Sequence, residues 1–421
     1  MRTGFQFACV MFIVFAFSSG GSVQADNWPH WRGESGNGVS TTATPLTEWS
    51  DTKNVKWKVV LPGLGSSTPI VWQDRVYVTC GKSLEEGSPE LPRMRFLVSC
   101  YDRNSGALVW EQTAIEARPH EQTHQTNGFA SASPCTDGKQ IYVSFGSRGI
   151  YCYSMEGELK WKKSLGQMQT RNMFGEGSSP TLAGDKLIVP WDHEGQSYLY
   201  ALDKQTGDIL WQTSRDEPTC WATPLVIEHK GRRQIIMNGQ NYARAYDLQT
   251  GTELWRCGGQ TQRPVASPVH AEGIVYIGSG FRGSFLGAFL PDGTGDIAGT
   301  TNVLWTKQKD TPDIASLLLS QDRLYYYKEK TGLLTCVNAT TGEPYYATQR
   351  IGLSSIYASP IAAGGHVYLT DRDGTTVVIE DAPELKIVAT NSVGETVDAT
   401  PVPVDKQLFI RGQKHLFCIA K

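Results

Sequence analysis

Apolar and polar residues alternate along most of this chain in short runs, and the runs are divided by Gly, Asp, Asn and Thr at close, regular intervals. Alternation with a period of two predicts half-buried strands, and Gly-containing pairs between such runs predict tight hairpins. The stretch from Gly177 to Ser214 shows the pattern at its clearest. Ser179-Pro180 opens one strand, and Gly184-Asp185 turns into the run Lys186 to Trp191. Gly195-Gln196 then turns into Tyr198 to Asp203, and Thr206-Gly207 turns into Asp208 to Thr213, which carries Trp211. This spacing predicts a four-stranded antiparallel meander of about forty residues. One such sheet cannot bury both of its faces, so the unit predicts neighbours of its own kind.

The opening element recurs as Ser67-Thr68-Pro69, Ser133-Pro134, Ser179-Pro180, Thr223-Pro224, Ser267-Pro268, Ser359-Pro360 and Thr400-Pro401, with a degenerate copy at Ser316-Leu317. The closing element, a Gly turn shortly before an aromatic, recurs as Gly106 with Trp110, Gly157 with Trp161, Gly207 with Trp211, Gly251 with Trp255 and Gly342 with Tyr345. The fifth unit keeps Trp305 behind a longer hairpin, and the seventh has lost its aromatic at Leu385 to Val388. Eight openings therefore face seven closings. The missing strand is at the other end, where Asn54 to Val60 is a closing strand with its own Trp57 and no opening in front of it. The expected fold is all-β: an eight-bladed β-propeller of four-stranded antiparallel blades, closed by pairing this N-terminal strand with the last three strands. A closed ring leaves only short, protected sheet edges.

Composition adds boundaries to this picture. Residues 1–25 combine Arg2, an apolar run from Phe5 to Phe17 and a small-residue ending at Val23-Gln24-Ala25, which predicts an export signal cleaved before Asp26 and hence a periplasmic or secreted protein. Cys9 lies inside the apolar run, with no lipobox. Residues 26–53 read as an irregular arm laid on the propeller, with Trp28, Trp31 and Arg32 among Gly and Pro, and residues 54–421 as the propeller itself. The charge is near balance, 39 basic against 42 acidic residues, with no basic cluster for a nucleic-acid backbone. After the leader no apolar stretch is long enough to span a bilayer. A ring that closes on itself needs no partner, so a monomer is expected. Cys100, Cys152, Cys336 and Cys418 occupy a third-strand slot that holds Ala201, Ala245 and Ala288 in other units, a cramped core position. Cys80, Cys135, Cys220 and Cys257 fit no metal spacing, and a bridge among them stays open.

The Ser/Thr-x-Pro entry, the exit Ala201-Leu202-Asp203-Lys204-Gln205-Thr206-Gly207-Asp208-Ile209-Leu210-Trp211 and the arm Trp28-Pro29-His30-Trp31-Arg32-Gly33 resemble the pyrroloquinoline-quinone-like (PQQ-like) β-propeller family over nearly all of the chain beyond the leader. The resemblance implies a fold shared by quinoprotein dehydrogenases, by BamB-like propellers of outer-membrane assembly and by exported proteins of no established activity. The dehydrogenases use a calcium-bound quinone, an Asp base, a Trp under the cofactor and an adjacent Cys pair above it. This chain has no adjacent cysteines and no haem-attachment site. Trp221 with Asp192, Glu176 or Asp310 offers a stacking floor and an acid, but no position aligns residue by residue, so no catalytic residue is carried over.

Every repeated residue serves the scaffold, which places function on the loops. The longest are Ala114 to Ser131, Ser164 to Gly177 and Cys80 to Arg95. Together with the other connections on that face they are expected to bring His120, His124, Asn127, Arg171, Trp191, Asp192, His193, Trp221, Arg263, Arg282, Tyr357, Arg372 and Arg411 toward one mouth of the channel, where arginines beside aromatics suit an anionic or planar ligand. His120 and His124 have a helical metal spacing, but the segment reads as loop. Asp292 to Asp296 looks faintly like a calcium loop yet lacks the twelfth-position Glu, so it reads as an elongated hairpin. The expected function is an exported, non-catalytic binding or interaction scaffold with a protein or small-molecule ligand at the mouth. The alternative is a PQQ- and calcium-dependent oxidoreductase acting on alcohols or sugars.

Overall fold

The unit between Gly177 and Ser214 folds as four antiparallel strands, Thr181–Ala183, Lys186–Trp191, Ser197–Asp203 and Ile209–Arg215. The computed structural model describes residues 26–85, 87 and 91–421, and the same meander forms the core of eight sheets there. The leader expected over residues 1–25 lies outside the described residues. The protein is an eight-bladed β-propeller, with blade 1 opening at Ile70 and blade 8 at Val402. Val55–Val60 pairs with His415–Ile419 and so supplies the outer strand of blade 8, closing the ring as expected.

The hydroxyl in front of each entry proline has a definite partner. Backbone N–H groups of Thr68, Ser133, Ser179, Thr223, Ser267, Ser316, Ser359 and Thr400 each donate to the hydroxyl of the next residue in that series, and Thr400 donates back to Thr68, at 2.8–3.2 Å. The result is a closed belt of eight hydrogen bonds, one per blade boundary, around the axis. Proline after each hydroxyl leaves no further N–H to satisfy. Ser316 keeps its place in the belt although Leu317 replaces the proline.

A second joint lies at the outer radius. Trp57, Trp110, Trp161, Trp211 and Trp305 each donate the indole N–H to a backbone carbonyl of the following blade, at 2.9–3.2 Å. Under each ring sits the turn glycine of that next blade, Gly106, Gly157, Gly207, Gly251 or Gly342, with φ between 71° and 89°. A Cβ there would come within 3 Å of the indole or the side chain beside it, so both the backbone angle and the close approach require glycine. Each Trp stands opposite the small third-strand slot, Cys100 against Trp110 and Ala201 against Trp211, and the strand bulges just before it. All eight cysteines of the described residues are free and buried, so no bridge forms among Cys80, Cys135, Cys220 and Cys257.

Four details differ from the sequence reading. Cys80–Ser83 pairs with Met94–Leu97, so both ends of the loop expected from Cys80 to Arg95 are strand. In blade 6 the residue opposite Cys336 is Tyr346, not Tyr345: it keeps the four-residue step from the turn glycine seen between Gly106 and Trp110, and Tyr345 takes the outward bulge position. Ile115–Ala117 pairs with Met94–Phe96 and extends the outer strand of blade 1, so the loop there starts at Arg118. The long hairpin of blade 5 reaches sideways, and Gly295–Asp296 adds a parallel fifth strand to Trp255–Arg256 of blade 4.

The arm touches the inner strand of every blade. Trp28 exchanges backbone hydrogen bonds with Val71, Pro29 O accepts from Thr136 N, and His30 bonds Thr181. Gly36 lies against Leu225, and Asn37 pairs both ways with the backbone of His270. The Arg32 guanidinium donates to the carbonyls of Leu317 and Pro360, and Trp31 donates to Thr400. Most of these partners follow the belt along the inner strands, whereas the long loops precede it. Arm and loops therefore lie at opposite ends of the channel, and the arm stops one end.

Candidate functional site

With one end stopped, the axis becomes a cup of about 380 Å³ open at the loop end. Its floor is Trp31 of the arm together with belt hydroxyls, and Val265 and Ile314 line its waist. The rim differs from side to side. On blades 1 to 4 it is aromatic and holds no Arg, Lys, Asp or Glu: the His124 and Phe174 rings meet edge to face at 4.9 Å, and Phe174 leans toward Trp221 at 6.5 Å. The Trp221 indole donates to Gly175 O at 2.7 Å, and Asn127 Nδ2 donates to Phe174 O at 2.8 Å, so the wall is fixed by its own backbone.

The opposite wall is cationic. Arg263 lies 3.5 Å above the Phe281 ring and pairs with Asp313 at 3.1 Å. Arg372 lies over Tyr357 at 4.9 Å and pairs with Asp398 at 2.6 Å, and Lys330 stands between these two groups. Among the described residues Lys330 makes no ion pair within 4.0 Å. Desolvation raises the carboxyls of Asp313 and Asp398 above the usual aspartate range, against the pull of their arginines. The Tyr357 hydroxyl accepts from Thr126, whose hydroxyl also bonds His124 Nδ1, and this chain ties the two walls together.

Of the residues expected at the mouth, the cup gathers His124, Asn127, Trp221, Arg263 and Tyr357, with Arg372 stacked directly behind Tyr357. Arg282 is exposed beside Phe281. His120 bonds Met168 O and Arg148, and Arg171 bonds Gln240 and Glu194, both outside the cup. Trp191, Asp192 and His193 are buried between blades. Asp192 forms a two-point pair with Arg215, and His193 bonds its own turn through Gly195 and Gln196. Arg411 is fully buried and donates to the carbonyls of Ser67 and Thr79, so it joins blades 8 and 1. Desolvation lowers its pKa, since no carboxylate faces it.

Lining residues outside the expected set include Trp31, Phe174, Lys330 and Asp398. Trp31 and Phe174 carry a sequence signal, as aromatics in irregular or loop segments; Lys330 and Asp398 stand in connecting segments that nothing marks. The cup does not fit a calcium-bound quinone. Its two carboxylates, Asp313 and Asp398, are each held by an arginine, and among the described residues no three His, Cys, Asp or Glu side chains gather as metal ligands. No step is derived through that cofactor.

The family model described as outer membrane protein assembly factor BamB (PQQ_2) matches residues 95–311. No curated protein matches the chain. Among solved structures, BamB from Moraxella catarrhalis superposes with a TM-score of 0.58 at 14% identity, over 86% of this chain and 98% of that one. Quinohemoprotein alcohol dehydrogenase from Comamonas testosteroni gives 0.64 at 10% identity, over 95% of this chain and 81% of that one. A europium-containing methanol dehydrogenase gives 0.54 at 10% identity, over 94% and 98%. At these identities the likeness is one of fold.

Proposed function

The chain belongs to the PQQ_2 family, described as outer membrane protein assembly factor BamB, and from that premise we propose that it is an exported, monomeric binding scaffold that holds a small molecule or a protein segment in its cup. One observation carries the reading: the arm makes the channel blind, and the open end sets an aromatic wall against a cationic one while Asp398 of the lining and Asp313, the partner of Arg263, are each tied to an arginine. Such a site grips and orients, but it offers no free acid and base in opposition. Family membership alone does not select between a scaffold and an enzyme. No helix among the described residues is long and apolar enough to cross a membrane, and export rests on the sequence of residues 1–25.

The test is a thermal-shift and tryptophan-fluorescence screen of residues 26–421 with small molecules and peptides, alongside Trp221→Ala and Tyr357→Ala. Ligands that stabilise the parent and lose their effect in both variants support the cup. Stabilisation that survives both variants places the binding elsewhere and sinks the reading. A saturable, calcium-dependent response to PQQ with turnover of alcohols by an artificial acceptor replaces the scaffold with the oxidoreductase.

A further inference from the structure

The belt has an unspent half. Each of its eight hydroxyl oxygens accepts a backbone N–H from the neighbouring blade, and Thr400 also accepts the Trp31 indole. Among the described residues none of the eight hydroxyls donates to a protein acceptor; they appear only as acceptors in those contacts. All eight residues are at least nine-tenths buried, at 1–4% exposure. A buried O–H without an acceptor is costly, and here the same lack is repeated around a ring. Thr68, Ser133, Ser179, Thr223, Ser359 and Thr400 line the cup at its floor. Above them the one wall that carries charge is cationic, with Lys330 unpaired between two arginines whose charges are already matched. Donors at the floor and a surplus positive charge at the rim select the same kind of group.

Resting on the reading of the cup as a binding site, we propose that its floor is a donor ring for an oxyanion: the ligand enters with a carboxylate or phosphate ester pointing at the belt and leaves its flat or apolar part against Phe174 and Trp221. The two walls fix this orientation. The aromatic side, with Phe174 and Trp221, accepts the body of the ligand, and the side of Lys330 keeps its charge company on the way down. A cation is disfavoured at the same place, because each oxygen has already given one lone pair to an N–H and the nearest free charge is positive.

The experiment compares three probes on residues 26–421 by tryptophan fluorescence and thermal shift: benzoate, benzyl alcohol of the same ring size, and inorganic phosphate. Benzoate or phosphate is expected to bind saturably, with benzyl alcohol at least tenfold weaker, and the affinity is expected to fall with salt. Ser133→Ala and Ser179→Ala are expected to weaken the anion by about tenfold each, the loss of one hydrogen bond to a charged group. Preference for benzoate over phosphate assigns a carboxylate ligand, and the reverse a phosphate ester. Equal binding of benzoate and benzyl alcohol overturns the proposal on the parent protein alone, whether or not the serine variants fold. So does a response to sodium or potassium that is independent of the anion, or no saturable response to any probe. Trp221→Ala separates the two levels: loss of binding in that variant with full retention in Ser133→Ala and Ser179→Ala leaves the cup intact and removes the donor ring.

Discussion

Replacing Arg32 tests whether the arm is built as a stopper. Its guanidinium is 2% exposed, faces no carboxylate, and donates to the carbonyls of Leu317, Pro360 and Asn37 at 2.6–2.8 Å. Burial pushes its pKa down to about 9, and the three carbonyls are what hold the charge in place. Arg32→Met strips three buried acceptors at about 1–3 kcal/mol each, offset by several kcal/mol for no longer desolvating a cation, which leaves a net loss of about 2–4 kcal/mol. Gly38 offers a second route to the same contact. It sits at φ +81°, and a Cβ there would lie 2.5 Å from the guanidinium carbon. Gly38→Ala therefore costs about 1–2 kcal/mol of backbone strain plus the displaced guanidinium, and only the backbone part survives in the Arg32→Met background. Urea unfolding followed by tryptophan fluorescence should show the two substitutions to be less than additive by about 1–2 kcal/mol. Both single variants should also expose the arm to limited proteolysis between residues 26 and 40. Additivity within about 0.5 kcal/mol, or an Arg32→Met protein as stable as the parent, refutes the reasoning.

Three further outcomes follow from the same geometry. The eight cysteines should be silent toward a thiol reagent at pH 8 in the folded protein and all react in denaturant, because burial pushes Cys257 up to about 11 and Cys100, Cys152, Cys336 and Cys418 up to about 12; any rapid folded-state reaction contradicts the packing. Asp102 accepts from the Ser105 hydroxyl and from the backbone of Ser105 and Asn104, which holds its carboxyl below the usual range. Its stabilisation is complete above the ordinary aspartate value of about 3.9 and is lost as pH falls through the folded value, so Asp102→Asn should flatten the acid limb of a stability–pH curve; an unchanged limb counts against it. Trp211→Phe and Trp305→Phe should each cost about 1–2 kcal/mol by denaturant unfolding, since each leaves a carbonyl of the next blade without its donor, Leu248 or Ala339. A loss within about 0.3 kcal/mol would mean that the indole N–H does not join the blades.

Strand number, blade number and ring closure were legible in the sequence because each rests on local chemistry: alternation sets the strands, Gly and Pro set their ends, and the unmatched strand at Trp57 reveals the closure. What was not legible depends on radius and on partners in other strands or other blades. Asp192 and Arg411 look like mouth residues when strands are read as lines, yet the second strand of a blade lies outside the first. Their side chains turn into the seam between blades and find Arg215 or the carbonyls of Ser67 and Thr79. Arg32 lies in a segment without periodicity, and its acceptors are some three hundred residues further on. In blade 6 the sequence did carry the register: Gly342 to Tyr346 is the same four-residue step as Gly106 to Trp110, and Tyr345 takes the bulge position.

The Ser/Thr-Pro entry shows the limit most clearly, because its meaning changes between the two levels. As a local motif it is explained by proline at a strand start and a small polar residue near a crowded axis. In the ring, the oxygen of that hydroxyl is the hydrogen-bond joint between blades, and its proton is left over. The residue that closes the scaffold is then also the residue that presents a donor to the cup. Substituting it should change stability and ligand preference together, whereas substituting Lys330, which makes no ion pair among the described residues, should change only the second. This difference in coupling follows from the belt and can be checked without knowing the natural ligand.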